Sequence, residues 1–230
     1  MKSSRNLPFL SLLLLAAFSL RDARAEDPWQ REVIPLVWSS SLSGHQAQGN
    51  VSLDSAGSDV SDFGGSFRFT ARRDPVSWFG EIEYTKFQSD NLGSLGNTAY
   101  TLTQVVGEFG YVHSFNPSIG VYAGLRYQDI ESELHTGNQG GTSSAVWMDP
   151  IVGAQWTPLV SDHWRLWVRG DVGAGGSDLV WLGEAAVGYS WSKPYAVYLA
   201  YRVLDTDYES DKFTYEMQQS GIALGFGFRF

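Results

Sequence analysis

Cysteine is absent from the 230 residues. No disulfide can staple the fold, and no thiolate is available as nucleophile or metal ligand. Positive charge is scarce: 16 Lys and Arg stand against 25 Asp and Glu, a formal −9. That balance excludes nucleic acid as a partner, because phosphates repel such a surface. Long apolar runs are missing after residue 25, and mean hydropathy is −0.18. A helix needs about 20 apolar residues to cross a membrane, and none is there. Three reaction-specific motifs are also missing: G-x-S-x-G, a paired-His helix and a Gly-Lys phosphate loop.

Glycine and aromatics are abundant: 25 Gly, 9 Trp, 11 Tyr and 13 Phe. This mixture, without apolar runs, suits a β-barrel in lipid. Each of its strands needs only about 9–11 residues with one apolar face.

The first 25 residues read as a signal peptide. Lys2 and Arg5 give a positive start, Leu7 to Leu20 an apolar run, and Ala23-Arg24-Ala25 a small-x-small cleavage site. Arg21 makes the run too short for an anchor. No Cys follows, which excludes a lipoprotein signal. Cleavage after Ala25 removes four cations and one anion, so −9 becomes −12 on residues 26–230. These residues are expected to form one outer-membrane barrel.

Period-two alternation recurs along the chain. Ile222, Leu224, Phe226, Phe228 and Phe230 alternate with Gly221, Ala223, Gly225, Gly227 and Arg229. Trp78, Gly80, Ile82 and Tyr84 oppose Phe79, Glu81, Glu83 and Thr85. Ile119, Val121, Ala123 and Leu125 oppose Gly120, Tyr122, Gly124 and Arg126. An apolar-out, polar-in dyad repeated this often is the barrel signature. Ten strands are expected, at 33–44, 63–73, 76–88, 98–114, 118–134, 144–158, 163–173, 179–191, 195–208 and 213–230. The fold class is thus all-β: a closed antiparallel up-and-down transmembrane barrel of 10 strands, with 8 as the alternative. Short turns around Asp74-Pro75, Asn116-Pro117, Ser161-Asp162 and Lys193-Pro194 belong on the periplasmic side, and the longer links outside. The longest link is His45 to Asp62; the overlapping segment Val51–Phe63 carries Ser and Asp that could cap a short helix or plug.

Several segments carry a resemblance. Trp147-Met148-Asp149-Pro150-Ile151-Val152-Gly153-Ala154 looks like W-x-D-P-x-x-G-A. Arg169-Gly170-Asp171-Val172-Gly173 looks like R-G-D-x-G, and Tyr201 to Tyr208 like Y-R-x-L-D-x-D-Y. The ending Ser220–Phe230 is similar to G-P-x-x-G-x-x-F-x-F, with Ile222 where Pro is common. Together, over residues 147–230, these resemble a family of small, uncharacterised proteobacterial outer-membrane β-barrel proteins, distantly similar to OmpA-like barrels. The resemblance implies fold and location, and no catalytic motif.

The alternation sends Arg68, Arg72, Arg126, Arg165, Arg169 and Arg202 inward, with Glu81, Glu83, Glu108, Asp149, Asp171 and Glu184. Unpaired buried charge is costly, so the twelve are expected to pair. A barrel of eight to ten strands is largely filled by its own side chains. A salt-bridged, sealed lumen with a structural or minor transport role is therefore the leading reading; a narrow pore or solute-binding barrel is the alternative. Phe226, Phe228 and Phe230 form a candidate assembly signal, read by β-augmentation on an insertase edge. The barrel assembly machinery, periplasmic chaperones, outer-membrane lipid and lipopolysaccharide are the expected partners. Trp78, Trp147, Trp156, Trp164, Trp181 and Trp191 lie near strand ends, as interfacial girdles do. A barrel enzyme would draw on His45 or His135 with Asp129, Ser132 or Ser143, but no spacing specifies one. No enzyme activity, cofactor or metal is expected.

Overall fold

The computed structural model describes residues 29–48, 51–89, 98–136, 139–210 and 213–230. The signal-peptide segment 1–25 lies outside them. Ten strands follow in chain order: β1 (Gln30–Gln48), β2 (Val51–Arg73), β3 (Val76–Ser89), β4 (Thr98–Ser114), β5 (Ile119–Thr136), β6 (Gln139–Val160), β7 (Trp164–Gly173), β8 (Leu179–Ser192), β9 (Tyr195–Ser210) and β10 (Phe213–Arg229). Each pairs antiparallel with the next. β1 closes on β10 from Glu32↔Arg229 to Gln48↔Phe213, so the sheet is a closed barrel. Closure removes every free edge, which a sheet in lipid requires.

Turn chemistry defines one rim. Asn116 Oδ1 accepts from the backbone N–H groups of Ser118 and Ile119, both at 2.8 Å, and folds the chain tightly around Pro117. Ser161 Oγ accepts from Trp164 N–H at 2.9 Å between β6 and β7. The turns after β2 and β8 are as short. Three links at the opposite rim are as short, but only there do the strands run far past the bilayer, so the present rim is the periplasmic one.

Strand length differs from expectation at the opposite rim. β2 starts at Val51 rather than 63, and β6 at Gln139 rather than 144. No helix or plug occupies 51–63: His45 to Asp62 belongs mostly to a β1–β2 hairpin, ending at Gln48↔Val51. The physical reason is that a hairpin satisfies its own backbone in water as well as in lipid. Polar Ser, Asp and Gly therefore do not end it where the bilayer ends. About 10 residues cross the hydrocarbon, so the 23 of β2 and 22 of β6 run well beyond it. β7, with 10, barely spans. The outer wall is high at β1–β2 and β5–β6 and low at β7–β8.

The two faces follow the alternation. Val121, Leu125, Val152, Val168, Val172, Val197, Leu199, Ile222 and Leu224 are exposed on the outside. A water-soluble protein would bury such a belt; here it meets lipid. Trp78, Trp156, Trp164 and Trp191 are exposed, and three of them pack with neighbouring rings: Trp78 with Tyr111 at 4.8 Å, Trp164 with Tyr189 at 4.8 Å and Trp191 with Phe226 at 5.9 Å. That is a girdle at headgroup depth. Trp147 is the exception. It is 5% exposed, inside the barrel, stacked on Tyr208 at 4.3 Å. It shares the phase of inward Asp149, so alternation itself places it inside.

The lumen as candidate functional site

β3 reads out the lumen's layers in sequence. Phe79, Glu81, Glu83, Thr85 and Phe87 all point inward and are all buried. From the periplasmic rim outward they mark an open vestibule, an ionic waist, a polar belt and an apolar plug.

The waist follows from register. Arg68 pairs with Glu81, Glu81 with Glu108, and Glu108 with Arg126 across β2 to β5; Arg169 pairs with Glu184 and Glu184 with Arg202 across β7 to β9. Register thus lays out two arcs of charge, which side-chain contacts across the lumen join into one network. Arg68 donates Nε to Glu81 at 2.7 Å, and grips Glu184 with both terminal nitrogens at 2.8 Å. Arg202 donates to Glu81 (2.6 Å), Glu83 (2.7 Å) and Glu184 (2.9 Å). Arg169 bridges Glu108 (3.1 Å) and Glu184 (3.2 Å). Arg126, fully buried, joins Glu108 (2.9 Å) to Asp171 (3.1 Å), which also accepts from Tyr122 Oη at 2.7 Å. Four arginines thus meet five carboxylates, a formal −1. Forked, charge-assisted bonds of this kind fix geometry as well as charge.

Three of the twelve expected residues stand apart from this network. Arg72 sits at the rim, 38% exposed at its side chain, and holds Asp74 at 2.7 Å. It lies one turn of the alternation too close to water to need a buried partner. Asp149 is buried opposite Arg126 in register but bonds no arginine. Its carboxylate accepts from Gly176 N–H and Ser177 N–H, each at 2.8 Å, and from Ser177 Oγ at 2.9 Å. The β7–β8 loop folds inward, and its two amides take the lone pairs. Arg165 lines the vestibule with no ion pair among the described residues. Only nine of the twelve form the waist.

Other lumen groups escaped the sequence reading. Glu32 accepts from Arg229 Nε (3.0 Å) and Tyr198 Oη (2.5 Å), closing the β1–β10 seam at the rim. Glu32 precedes the expected start of β1, which hid it. The polar belt joins Gln219 to Ser40, Glu83 and Thr85, each at 3.3 Å, and Gln128 to Thr206 at 3.4 Å. Beyond it Leu42, Phe87, Tyr100, Leu102, Ile130, Trp147, Phe213, Tyr215 and Met217 form a buried apolar cluster. Extending the β3 phase to Phe87 was the available signal.

Inward glycines make room for these rings. A Cβ on Gly188 would lie 2.5 Å from the Tyr198 ring, and one on Gly227 2.7 Å from it. The Gly-rich inner face of β10 is the seat of large side chains from other strands.

Of the residues considered for a hydrolytic site, Ser132 and Asp129 are kept apart, and the His135 side chain lies outside the described ones. Ser132 is buried inside and accepts from Gln46 Nε2 at 2.6 Å. Asp129 lies three residues back on β5, on its outer face beside Tyr127. Opposite faces of a strand cannot share a proton. Among the described residues no group of His, Asp and Glu could hold a metal ion. His113 and His163 lie at the periplasmic rim, His163 Nδ1 at 2.9 Å from Ser190 O.

A closed ten-strand sheet, a lipid-facing apolar belt and a charged interior define an integral outer-membrane β-barrel. The comparison with solved structures agrees. The fold is shared with the outer membrane protease OmpT from Escherichia coli, at TM-score 0.54 and 9% identity, over 88% of this chain and 97% of that one. Ail, the attachment invasion locus protein of Yersinia pestis, matches at 0.40 and 11% identity over 88% and 98%. Neisserial surface protein A matches at 0.39 and 9% over 89% and 98%. At 9% identity the likeness to OmpT is one of fold. No protein-family model and no curated protein matches the sequence.

Proposed function

We propose that the protein is a sealed barrel with a structural role in the outer membrane, neither a pore nor an enzyme. One observation carries this: the lumen is filled at two successive levels, by the nine-residue ionic waist and by the apolar plug around Leu42, Phe87 and Trp147. An ion crossing it would shed its water at the plug and then break forked ion pairs at the waist. Both steps are costly. The protein is to be refolded and added to a planar bilayer, with a general porin as positive control. The expected result is a flat baseline; discrete single-channel steps would overturn the reading.

Membership of a family of small proteobacterial outer-membrane barrels, distantly similar to OmpA-like ones, belongs to the same proposal and is supported by the motifs between 147 and 230; a signal peptide at 1–25 and a mature barrel at 26–230 are supported by Lys2, Arg5, the apolar run and Ala23-Arg24-Ala25. So does recognition of Phe226, Phe228 and Phe230 by the assembly machinery. All three rings are exposed on the outer face, and Phe228 packs on Tyr195 at 5.8 Å. Lipopolysaccharide is the natural contact of the outer ends of β1–β2 and β5–β6.

A further inference from the structure

Between the ionic waist and the periplasmic rim lies a cavity of about 260 Å³. It is blind at the waist, where Arg68 and Arg169 form its end wall, and reaches the rim at Pro117 and Val160. That volume sits just below the usual range for small-molecule sites, roughly 300–1,000 Å³. The charge balance around it is lopsided. Four arginines line it, Arg68, Arg72, Arg165 and Arg169, against one carboxylate, Glu32. Glu32 is already held by Arg229 and Tyr198, and Arg72 by Asp74. Arg68 and Arg169 are held by the waist, although Arg169 Nε is buried without a partner. Arg165 has no hydrogen bond or ion pair among the described residues; it feels the positive fields of Arg229 and Arg72, set against those of Tyr198 and of Glu32, a carboxylate already bonded to Arg229.

A half-buried guanidinium among like charges is unfavourable without a counter-anion. The remaining wall is apolar and aromatic: Ile34, Phe79, Val112, Trp167 and Tyr198. Gln155 adds an amide beside the arginines. Convergent cations at one side and rings at the other suit a ligand that is itself divided in this way. We propose that the vestibule binds a small organic carboxylate from the periplasmic side, its head on Arg165 and its apolar body against Trp167 and Tyr198. The sealed reading is not required, because binding and conductance are read separately.

The test uses the full barrel in phosphatidylcholine nanodiscs and fluorine NMR. The probes are para-fluorobenzoate, its neutral analogue para-fluorobenzyl alcohol, and inorganic phosphate as a competitor. The benzoate is expected to bind saturably, and the alcohol not to saturate over the same range. Phosphate should compete only weakly, lacking the apolar body. Arg165→Gln should weaken the benzoate roughly tenfold to a hundredfold, the weight of a charge-assisted hydrogen bond. Absence of saturation, equal binding of the alcohol, or an unchanged affinity in folded Arg165→Gln would each overturn the proposal. The comparison of acid with alcohol needs only the wild-type chain, so it decides the matter even if the variant does not fold.

Discussion

Removing Arg202 should unbalance the waist at one identifiable point. Arg202→Met keeps the length of the stem and its apolar contact while deleting the guanidinium. Three carboxylates lose a donor, and their fates differ. Glu81 keeps Arg68, and Glu184 keeps Arg68 and Arg169. Glu83 has no second arginine; it is left with Thr85 Oγ1 at 3.1 Å and Gln219 Nε2 at 3.3 Å. A carboxylate that is 2% exposed then lacks a counter-charge, and the waist goes from −1 to −2. Breaking a buried pair from one side costs about 3–5 kcal/mol. With a urea slope of about 2 kcal/mol/M, the unfolding midpoint should fall by roughly 1.5–2.5 M. Equilibrium unfolding in lipid vesicles, followed by tryptophan fluorescence and by heat-modifiable gel migration, reads that shift. The partner variant Glu83→Gln separates lost charge balance from lost packing. Arg202→Met with Glu83→Gln restores −1 and should recover at least about half of the loss in a double-mutant cycle. The reasoning fails if the single variant unfolds within about 1 kcal/mol of wild type, or if the double variant is no more stable than the single.

Four further outcomes test other levels of the fold. Gly221→Ala places a methyl 2.5 Å from Trp38 Nε1 and 2.6 Å from Ser40 Cα at the β1–β10 seam; it should cost about 1–3 kcal/mol. Gly65→Ala, with its nearest atom at 3.7 Å, should be close to neutral in the same unfolding assay. Leu224→Arg, on the lipid face opposite Leu199, should lose about 2–4 kcal/mol in vesicle refolding if that level is the bilayer midplane; an unchanged midpoint would remove the belt from the hydrocarbon. Asp149→Ala should speed hydrogen exchange at the Gly176 and Ser177 amides, which it alone is seen to hold, while the β3–β4 amides stay protected.

The sequence carries the faces of the strands better than their ends. Faces are arithmetic: once Glu81 is inward, Phe79, Glu83 and Thr85 are too, and register puts Arg68 and Glu108 at the same level. That is why nine of the charged residues could be found from alternation alone. Ends depend on where backbone hydrogen bonding stops, and nothing in Val51–Phe63 announces that pairing continues past the bilayer. Pairing partners are a third matter. Asp149 and Arg126 are opposite in register, yet loop amides from Gly176 and Ser177 take the carboxylate, a competition invisible without the loop's path. The apolar plug was missed for a different reason. Residue type puts Trp147 in the interfacial girdle, whereas its phase with Asp149 puts it inside, as the phase of Glu81 and Glu83 does for Phe87.

The order of the layers makes the two rims unequal. At the outer rim the first lumen groups below the hairpins are the rings and aliphatic chains of the plug, with Tyr100 Oη turned to Gln46 at 2.7 Å. An apolar constriction of that kind excludes water before any charge is reached. At the periplasmic rim the order is reversed, because arginines and Glu32 meet water first and the waist closes the cavity only behind them. A solute arriving from outside therefore faces desolvation with nothing offered in return. One arriving from the periplasm meets Arg165 before it meets a barrier. If the barrel exchanges any small molecule, chemistry places that exchange on the periplasmic side, and a variant such as Trp147→Ala that loosens the plug should leave the binding of para-fluorobenzoate unchanged. A loss of binding in the folded variant would show that plug and vestibule are one cavity rather than two.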